Sequence, residues 1–236
     1  MDNKSHMFYA PDIDSVPVLP EDESLHCTRV LRLKNGDSIT ITDGKGFFYS
    51  AQIENIHFKY CKVHITKHWQ PKTLRNYKIH IAIAPTKNMD RMEWFVEKAT
   101  EIGIDTITCL HCKHSERSEI KLQRLYKTAI SAMKQSQKAL LPQINEMTDF
   151  YNFISSDQKT IKMIAHCSDS PKQLVKDIYT PDNNALILIG PEGDFSPDEL
   201  KAALSVGFAP VTLGEYRLRT ETAALTACLT IHFMNQ

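Results

Sequence analysis

Residues 7–70 contain short segments in which polar and apolar side chains alternate, the pattern of half-buried β-strands. Residues 38–42 alternate in this way, residues 43–46 (Asp-Gly-Lys-Gly) have the composition of a turn, and residues 47–53 and 60–65 supply two further strands. This pattern predicts a small β-barrel or meander. The polar, proline-containing stretch 69–76 is interpreted as a linker that follows it.

The pattern changes at about residue 77, where short apolar strands begin to alternate with amphipathic helices. Five strands are predicted, at residues 79–84, 104–110, 161–165, 185–189 and 210–213. Helices are predicted at residues 90–102, 120–138 and 174–179, from Pro197 to Gly207, and at residues 220–233. The fourth of these begins with a capping box formed by Ser196 and Glu199. The alternation predicts an α/β domain (residues 71–236) with a mostly parallel sheet and helices on both faces, after a β domain (residues 1–70).

Composition narrows the class of protein. The 28 Lys and Arg residues balance 28 Asp and Glu residues, and 42% of the residues are hydrophobic, as in an ordinary soluble globular protein. No apolar run reaches the roughly 18–20 residues of a transmembrane helix, and acidic residues occupy the N-terminal region where a secretory signal would be apolar. Six cysteines are too few for a disulfide scaffold in a chain of 236 residues. We expect a cytoplasmic protein with no membrane partner.

Ligands of open α/β sheets bind at the carboxyl ends of the strands. Two loops at such ends are rich in glycine and charge: residues 190–194 (Gly-Pro-Glu-Gly-Asp) and residues 214–222 (Gly-Glu-Tyr-Arg-Leu-Arg-Thr-Glu-Thr). Glycine there lets the backbone approach a ligand closely, although a tight strand-to-helix connection is the alternative. Neither Gly-x-Gly-x-x-Gly nor Gly-x-x-x-x-Gly-Lys-Ser/Thr occurs, which removes the main support for dinucleotide-binding and P-loop enzymes.

The second loop holds a cation where helix physics disfavours one. Thr220 as N-cap and Glu221 in the first turn suit a helix start, but Arg219 next to them is unfavourable unless an anion faces it. The loop therefore points to a ligand or an acidic partner.

Two further features have more than one interpretation. Cys109 and Cys112, with His114 nearby, have the spacing of half a zinc site, but no second Cys-x-x-Cys pair accompanies them, and no metal is expected. Between residues 112 and 138, seven Lys and Arg residues stand against two Glu residues. This basic stripe suits RNA phosphates, and a solvated helix face is the alternative.

These motifs together resemble the RsmE-type 16S ribosomal RNA uracil-N3 methyltransferases of the SPOUT superfamily. The resemblance covers nearly the whole chain from about Phe8 and is carried by residues 30–33, 43–44, 97–103 (Glu-Lys-x-x-Glu-Ile-Gly), 115–117 (Ser-Glu-Arg), 189–193 (Ile-Gly-Pro-Glu-Gly), 213–214 and 218–223 (Leu-Arg-Thr-Glu-Thr-Ala). It implies a PUA-like β-barrel RNA-binding domain, a SPOUT α/β domain with a trefoil knot, S-adenosylmethionine as methyl donor, and a homodimer.

The resemblance also implies roles for particular residues. The cofactor-binding residues would be Ala165, His166, Ile189, Gly190, Glu192, Gly193, Leu213, Gly214, Leu218, Arg219 and Thr222. The RNA-binding residues would be Arg29, Arg32, Lys113, Arg117 and Arg124. The family usually has an arginine before the aromatic residue near the N-terminus, and Met7 in that position leaves no arginine for that RNA contact.

The reaction expected from the resemblance is methylation of N3 of a uridine in 16S ribosomal RNA, free or in the small subunit. Because N3 carries a proton, a base is needed, and Glu221 is the carboxylate proposed for it. Arg219 would stabilise charge on the uracil oxygens, and Tyr216 or Phe195 would stack on an unstacked target base. The alternative is a non-catalytic RNA-binding or ribosome-assembly factor.

Overall fold

A computed structural model of the chain describes residues 6–57, 59–71, 75–156 and 160–236. Two compact units are present, one of Met1–Leu74 with Ile130–Leu141 and one of Arg75–Ala129 with Pro142–Gln236. Residues 130–141, which the sequence-based division assigns to the α/β domain, thus group with the first unit. Residues 72–74 of the predicted linker lie outside the described residues.

The first unit is built on a curled five-stranded sheet in the order β1-β3-β4-β5-β2, a half-barrel. Its elements are β1 (Met7–Tyr9), β2 (Val18–Leu19), α1 (Glu21–Leu25), a π-helical turn (His26–Val30), β3 (Ser38–Thr42), β4 (Phe48–His57) and β5 (Tyr60–Trp69). The three longer strands were predicted and are antiparallel neighbours. The edge strands β1 and β2 were missed because two or three residues are too few to show alternation.

Alternating apolar residues bury one face of this sheet. Ile39 and Ile41 on β3 pack in one core with Phe8 of β1 and with Ile53 and Val63 of β4 and β5. Successive side chains of a strand point to opposite faces, so the alternation seen in the sequence fixes which residues are buried.

The second unit is built on a seven-stranded sheet in the order β10-β12-β9-β11-β6-β7-β8, and all its strand pairs are parallel. Its strands are β6 (Ile79–Ile83), β7 (Thr106–His111), β8 (Gln143–Asp149), β9 (Ile161–Ala165), β10 (Gln173–Leu174), β11 (Ala185–Ile189) and β12 (Ala209–Thr212). Its helices are α2 (Met89–Ile102), α3 (Leu122–Gln135, which continues into the segment grouped with the first unit), α4 (Phe150–Ile154), α5 (Val175–Ile178), α6 (Pro197–Ser205) and α7 (Thr220–Met234). The predicted α/β class and the five main strands are confirmed.

Two edge strands of this sheet escaped the sequence analysis. In β8 only Ile144 is buried, and both residues of β10 are exposed, so neither segment has the apolar run of an inner strand. The helix predicted at residues 120–138 is also shorter, ending at Gln135.

Helices cover both faces of the parallel sheet. Ala82 of β6 and Leu188 of β11 cluster with Phe150 of α4 and Ala203 of α6. Helix α7 contacts β6 and β11 and also packs against α2. Since all five residues of β11 are buried, this strand needs cover on both sides. No helix in the described part of the chain is long and apolar enough to cross a membrane.

The capping box of α6 is present and does more than start a helix. The buried Glu199 carboxylate accepts hydrogen bonds from Ser196 N (2.8 Å) and Ser196 Oγ (2.8 Å), and the Ser196 hydroxyl in turn accepts from Glu199 N. The other carboxylate oxygen of Glu199 accepts from Lys113 N at 2.7 Å. Glu199 thereby ties the start of α6 to the loop after β7.

We predict that Glu199→Ala lowers the free energy of unfolding by about 2–4 kcal/mol, because two backbone N–H groups lose their acceptor. Asp198→Ala is the matched control. Asp198 lies in the same first turn but is exposed, so its loss should cost only about 0.3–1 kcal/mol. Urea unfolding measures both, and equal effects would contradict the role of Glu199.

Candidate functional site

Three loops meet at the carboxyl edge of the parallel sheet. They follow β9 (His166 onward), β11 (Gly190 onward) and β12 (Leu213 onward). Because β9 lies between β11 and β12, with Ala165 in register with Ile189 on one side and with Val211 on the other, the three loops begin side by side. The predicted cofactor loops are therefore neighbours in space.

Two adjoining cavities, each of about 290 Å³, lie between these loops. Both are lined by Ala165, Cys167, Arg217, Leu218 and Ala223. Of the predicted cofactor residues, the first cavity is also lined by Ile189, Gly190, Glu192 and Arg219, and the second by His166, Leu213 and Gly214. The structure thus brings together nine of the eleven predicted residues.

The other two predicted cofactor residues lie elsewhere. Gly193 faces His114, whose Cβ would be 3.1 Å from a Cβ added at the glycine. Thr222 lines a third cavity, described below.

Glycine is required at two positions of the cavity walls. A Cβ on Gly190 would come within 3.2 Å of the ring and the backbone N of Phe195. Gly214 has φ +136°, which L side chains rarely adopt. A side chain would therefore collide with Phe195 at the first position and strain the backbone at the second.

Hydrogen bonds hold the loop after β11 in place. The Glu192 carboxylate accepts from Lys87 N at 3.0 Å, and Arg217 Nη2 donates to the Glu192 carbonyl at 3.2 Å. Asp194, at φ +63°, accepts from Cys167 N at 2.9 Å through Oδ2. These hydrogen bonds tie the loop after β11 to the segment at Lys87, to the loop after β12 through Arg217 and to the loop after β9 through Cys167.

His166 presents an unpaired ring nitrogen. Its Nδ1 lies 2.9 Å from Ser168 Oγ, while the buried Nε2 has no hydrogen-bond partner among the described residues. Burial, together with the nearby Lys172 ammonium, lowers the pKa of His166, so the ring is neutral at neutral pH. A neutral imidazole can offer a ligand either a donor or an acceptor.

A third cavity, of about 600 Å³, adjoins the first and shares Arg91, Arg217, Leu218 and Arg219 with it. Both predicted catalytic residues line it. The Glu221 carboxylate is buried, its Oε1 lies 3.7 Å from Arg91 Nε, and its Oε2 has no partner among the described residues. A buried oxygen of this kind can accept from a ligand.

The start of α7 differs from the prediction. Arg219, not Thr220, is the N-cap residue, and the Thr220 hydroxyl instead donates to the Gly190 carbonyl at 3.2 Å. The exposed Arg219 guanidinium has no partner within the described parts of the chain. Arg219 thus lies at a helix N-terminus, where a cation is disfavoured, with no anionic partner among the described residues.

The two aromatic residues proposed to stack on a base differ in exposure. Phe195 is buried against Phe150, with ring centroids 5.5 Å apart, so that proposal is wrong for Phe195. Tyr216 is 84% exposed at the second cavity.

The predicted RNA-binding residues are not equally free. Arg29 and Arg32 are exposed in the first unit, and Lys113 is exposed in the second. Arg124 forms ion pairs with Asp90 and Glu93. Arg117 donates through Nε to the Thr86 and Lys87 carbonyls (3.2 and 3.0 Å) and through Nη2 to Lys87 (2.7 Å).

Sequence reasoning missed several residues of the cavity walls. The most important are Arg91 and Trp94 on α2 and Cys167 and Lys172 after β9. Asp194 and Arg217 lie in the two loops that the sequence singled out, but they were not among the predicted site residues. Those beside a predicted loop could have been found from position alone. Arg91 and Trp94 could not, because they reach the site through the packing of α2 on α7.

Comparison with known proteins identifies the family. Residues 73–232 match the model of the RNA methyltransferase domain, and residues 19–66 match that of the RNA methyltransferase PUA domain. The chain belongs to this RNA methyltransferase family. The RNA methyltransferase family includes relatives named ribosomal RNA small subunit methyltransferase E. The one from Buchnera aphidicola is 30% identical and covers 94% of this chain and 90% of its own length. The one from Mycobacterium tuberculosis is 25% identical, with 94% and 88% covered.

Two solved structures from the RNA methyltransferase family share the whole fold. A candidate rRNA methyltransferase from Porphyromonas gingivalis is 46% identical with a TM-score of 0.92, covering 97% of this chain and 98% of its own. A ribosomal RNA small subunit methyltransferase E from Neisseria gonorrhoeae bound to S-adenosylmethionine is 26% identical with a TM-score of 0.87, covering 98% of each chain. The resemblance stated from the motifs is confirmed.

The hydrogen bonds of Arg117 predict that this residue stabilises the fold. Arg117→Ala should lower the free energy of unfolding by about 1–2 kcal/mol, because its guanidinium holds the segment that carries Lys87 N. Lys121→Ala is the control, an exposed cation in the same basic stripe with no ion pair among the described residues, and should change stability by no more than about 0.5 kcal/mol. Denaturant unfolding of both variants is the measurement, and equal stabilities would leave Arg117 as an RNA contact only.

Proposed function

We propose that this protein is an S-adenosylmethionine-dependent methyltransferase that methylates N3 of a uridine in the small-subunit ribosomal RNA. The observation that carries the proposal is the pair of adjoining sites at the edge of the sheet. Of the two glycine-walled cavities suited to a cofactor, the first shares Arg91 and Arg219 with a cavity that holds a buried carboxylate whose Oε2 has no partner among the described residues. Methyl transfer to nitrogen needs both sites side by side, because donor and acceptor must meet in line.

The residues of the first two cavities fit S-adenosylmethionine. Ile189, Leu213 and Leu218 give apolar walls for an adenine ring, and the unpaired His166 Nε2 gives a polar contact. Arg217 and Lys172 supply positive charge for the carboxylate of the methionine part. Gly190 and Gly214 line these cavities without a side chain, so the backbone there can lie directly against the ligand.

When bound, the cofactor supplies an electrophilic methyl group on a sulfonium. Glu221 takes the N3 proton through its unpaired Oε2, and the lone pair left on N3 forms the bond to the methyl carbon. The bond from that carbon to sulfur breaks at the same time, and its electron pair leaves with the sulfur as a neutral thioether. The free Arg219 guanidinium stabilises the negative charge that then develops on the uracil oxygens. The cation disfavoured by the helix N-terminus is thereby matched with an anion.

RNA is held by positive charge on both units. Arg29 and Arg32 of the first unit and Lys113 of the second are exposed and available to phosphates. Arg124 and Arg117 contribute less, since their guanidinium groups already have partners. Homodimerisation, the trefoil knot, a cytoplasmic location, action on the small subunit and independence of metal ions remain predictions from the resemblance and the composition.

Cofactor binding is tested through Cys167. This cysteine is exposed and lines both cofactor cavities, whereas the other five are buried. We predict that saturating S-adenosylmethionine slows the reaction of Cys167 with a disulfide reagent such as dithiobis(nitrobenzoate) by about tenfold or more, because the ligand covers the thiol. Stopped-flow absorbance gives the rate.

Two controls sharpen this measurement. Cys167→Ser should remove the rapid phase, which assigns that phase to the residue. ATP carries adenosine without the methionine part and should protect weakly. No protection by S-adenosylmethionine would refute the cofactor site and favour a non-catalytic RNA-binding factor.

The chemistry is tested through Glu221. Glu221→Gln keeps the shape of the side chain but removes the base, so the single-turnover rate should fall by about 10²–10⁴-fold, with the Kd for S-adenosylmethionine little changed. The substrate is small ribosomal subunits from a strain lacking the protein, and mass spectrometry of nucleosides reads the product. Asp177→Asn, an exposed carboxylate on α5, is the control. Near-normal methylation by Glu221→Gln would eliminate Glu221 as the base and make Glu192 the next residue to test.

A further inference from the structure

The third cavity contains features that the chemistry of Glu221 and Arg219 does not use. Trp94 stands on α2 one turn after Arg91, so the two side chains share a helix face, and both line the cavity. The indole is 41% exposed, although a tryptophan is normally well covered. An exposed indole in the wall of a cavity is suited to contact a flat ring.

The Glu221 carboxylate in this cavity has one ion pair, and its Oε2 has no hydrogen-bond partner, among the described residues. Arg91 Nε lies 3.7 Å from Glu221 Oε1, too far for a hydrogen bond but close enough for an ion pair. The charged groups that line the cavity are Glu221 and Arg91, Arg217 and Arg219 with Asp90. Arg91 forms the single ion pair of Glu221 within the described residues, so it fixes where the carboxylate points.

We propose that this cavity receives the target pyrimidine, with Trp94 as the wall on which the base stacks and Arg91 as the residue that positions the Glu221 carboxylate. The proposal rests on the proposed function and adds to it the place of the base and two residues. A flipped base is held by stacking and by hydrogen bonds to its pairing edge. The cavity offers one surface of each kind.

The same arrangement selects uracil over cytosine. Uracil carries a proton on N3, which the unpaired Glu221 Oε2 can accept. Cytosine has an unprotonated N3 acceptor there, which would face the carboxylate oxygen with no hydrogen between them. The orientation set by Arg91 therefore bears on specificity as well as on rate.

The test uses the full-length protein, with small ribosomal subunits from a strain lacking it as the probe. Trp94→Ala, Trp94→Phe, Arg91→Ala and Arg91→Lys are compared in single-turnover methylation at saturating S-adenosylmethionine. The Kd for S-adenosylmethionine, the melting temperature and the molar mass by light scattering are measured for each variant. Tyr151→Ala is the matched control, an aromatic residue 47% exposed on α4.

Trp94→Ala should raise the subunit concentration for half-maximal rate by about 5- to 150-fold, the range for losing one stacked base, while Trp94→Phe retains most of the affinity. Arg91→Ala should lower the single-turnover rate about tenfold or more. It should leave the subunit concentration for half-maximal rate little changed, because Arg91 acts through the orientation of Glu221 and not by binding the base. Arg91→Lys should restore most of the rate. Tyr151→Ala should change neither quantity.

Three results would overturn the proposal. Unchanged half-saturation in Trp94→Ala would show that the indole does not stack on the base. An unchanged single-turnover rate in Arg91→Ala, or a loss of rate that Arg91→Lys does not restore, would remove Arg91 as the residue that positions Glu221. A loss of the dimer in Trp94→Ala that by itself accounts for the lost affinity would assign the indole to a second copy of this chain. Failure of the unsubstituted protein to bind S-adenosylmethionine or to methylate the subunits would instead refute the proposed function.

Discussion

The register of β9 against its two neighbours is the constraint on which the site depends. Ala165 pairs with Ile189 of β11 and with Val211 of β12, so three parallel strands end at the same level. The hydrogen bonds of a parallel ladder and the burial of every residue of β11 hold this register. A shift in the register of one strand would move its loop away from the other two. The two cavities that Ala165 lines would then no longer adjoin.

Most polar groups around the edge of the sheet are used to hold the loops. Glu199, Glu192 and Asp194 each accept backbone N–H groups from a different segment. Against this background two buried atoms at this edge have no partner among the described residues: His166 Nε2 and Glu221 Oε2. Since buried polar groups are normally satisfied, these two atoms are the candidates for contacts with a ligand.

The sequence predicted the strands and the loops that line the candidate site because their signals are local. Apolar runs such as Ala185–Ile189 and the capping box at Ser196 depend only on neighbouring residues. Arg91 and Trp94 depend on how α2 packs against α7, which no local pattern shows. The sequence overstated the role of Arg117 in RNA binding for a related reason. It shows that Arg117 is basic, but not that its guanidinium is bound to the Thr86 and Lys87 carbonyls.

The dipole of helix α7 acts in opposite ways on Glu221 and Arg219. Glu221 lies in the first turn, where the helix dipole favours an anion, so the ion pair with Arg91 need not by itself offset the cost of burial. Arg219 at the N-cap meets the opposite situation, because the same dipole disfavours its cation. One helix end thus favours the Glu221 anion and leaves the Arg219 cation without a partner among the described residues. Under the proposed function, a uracil that gives its N3 proton to Glu221 and becomes negative would satisfy both side chains.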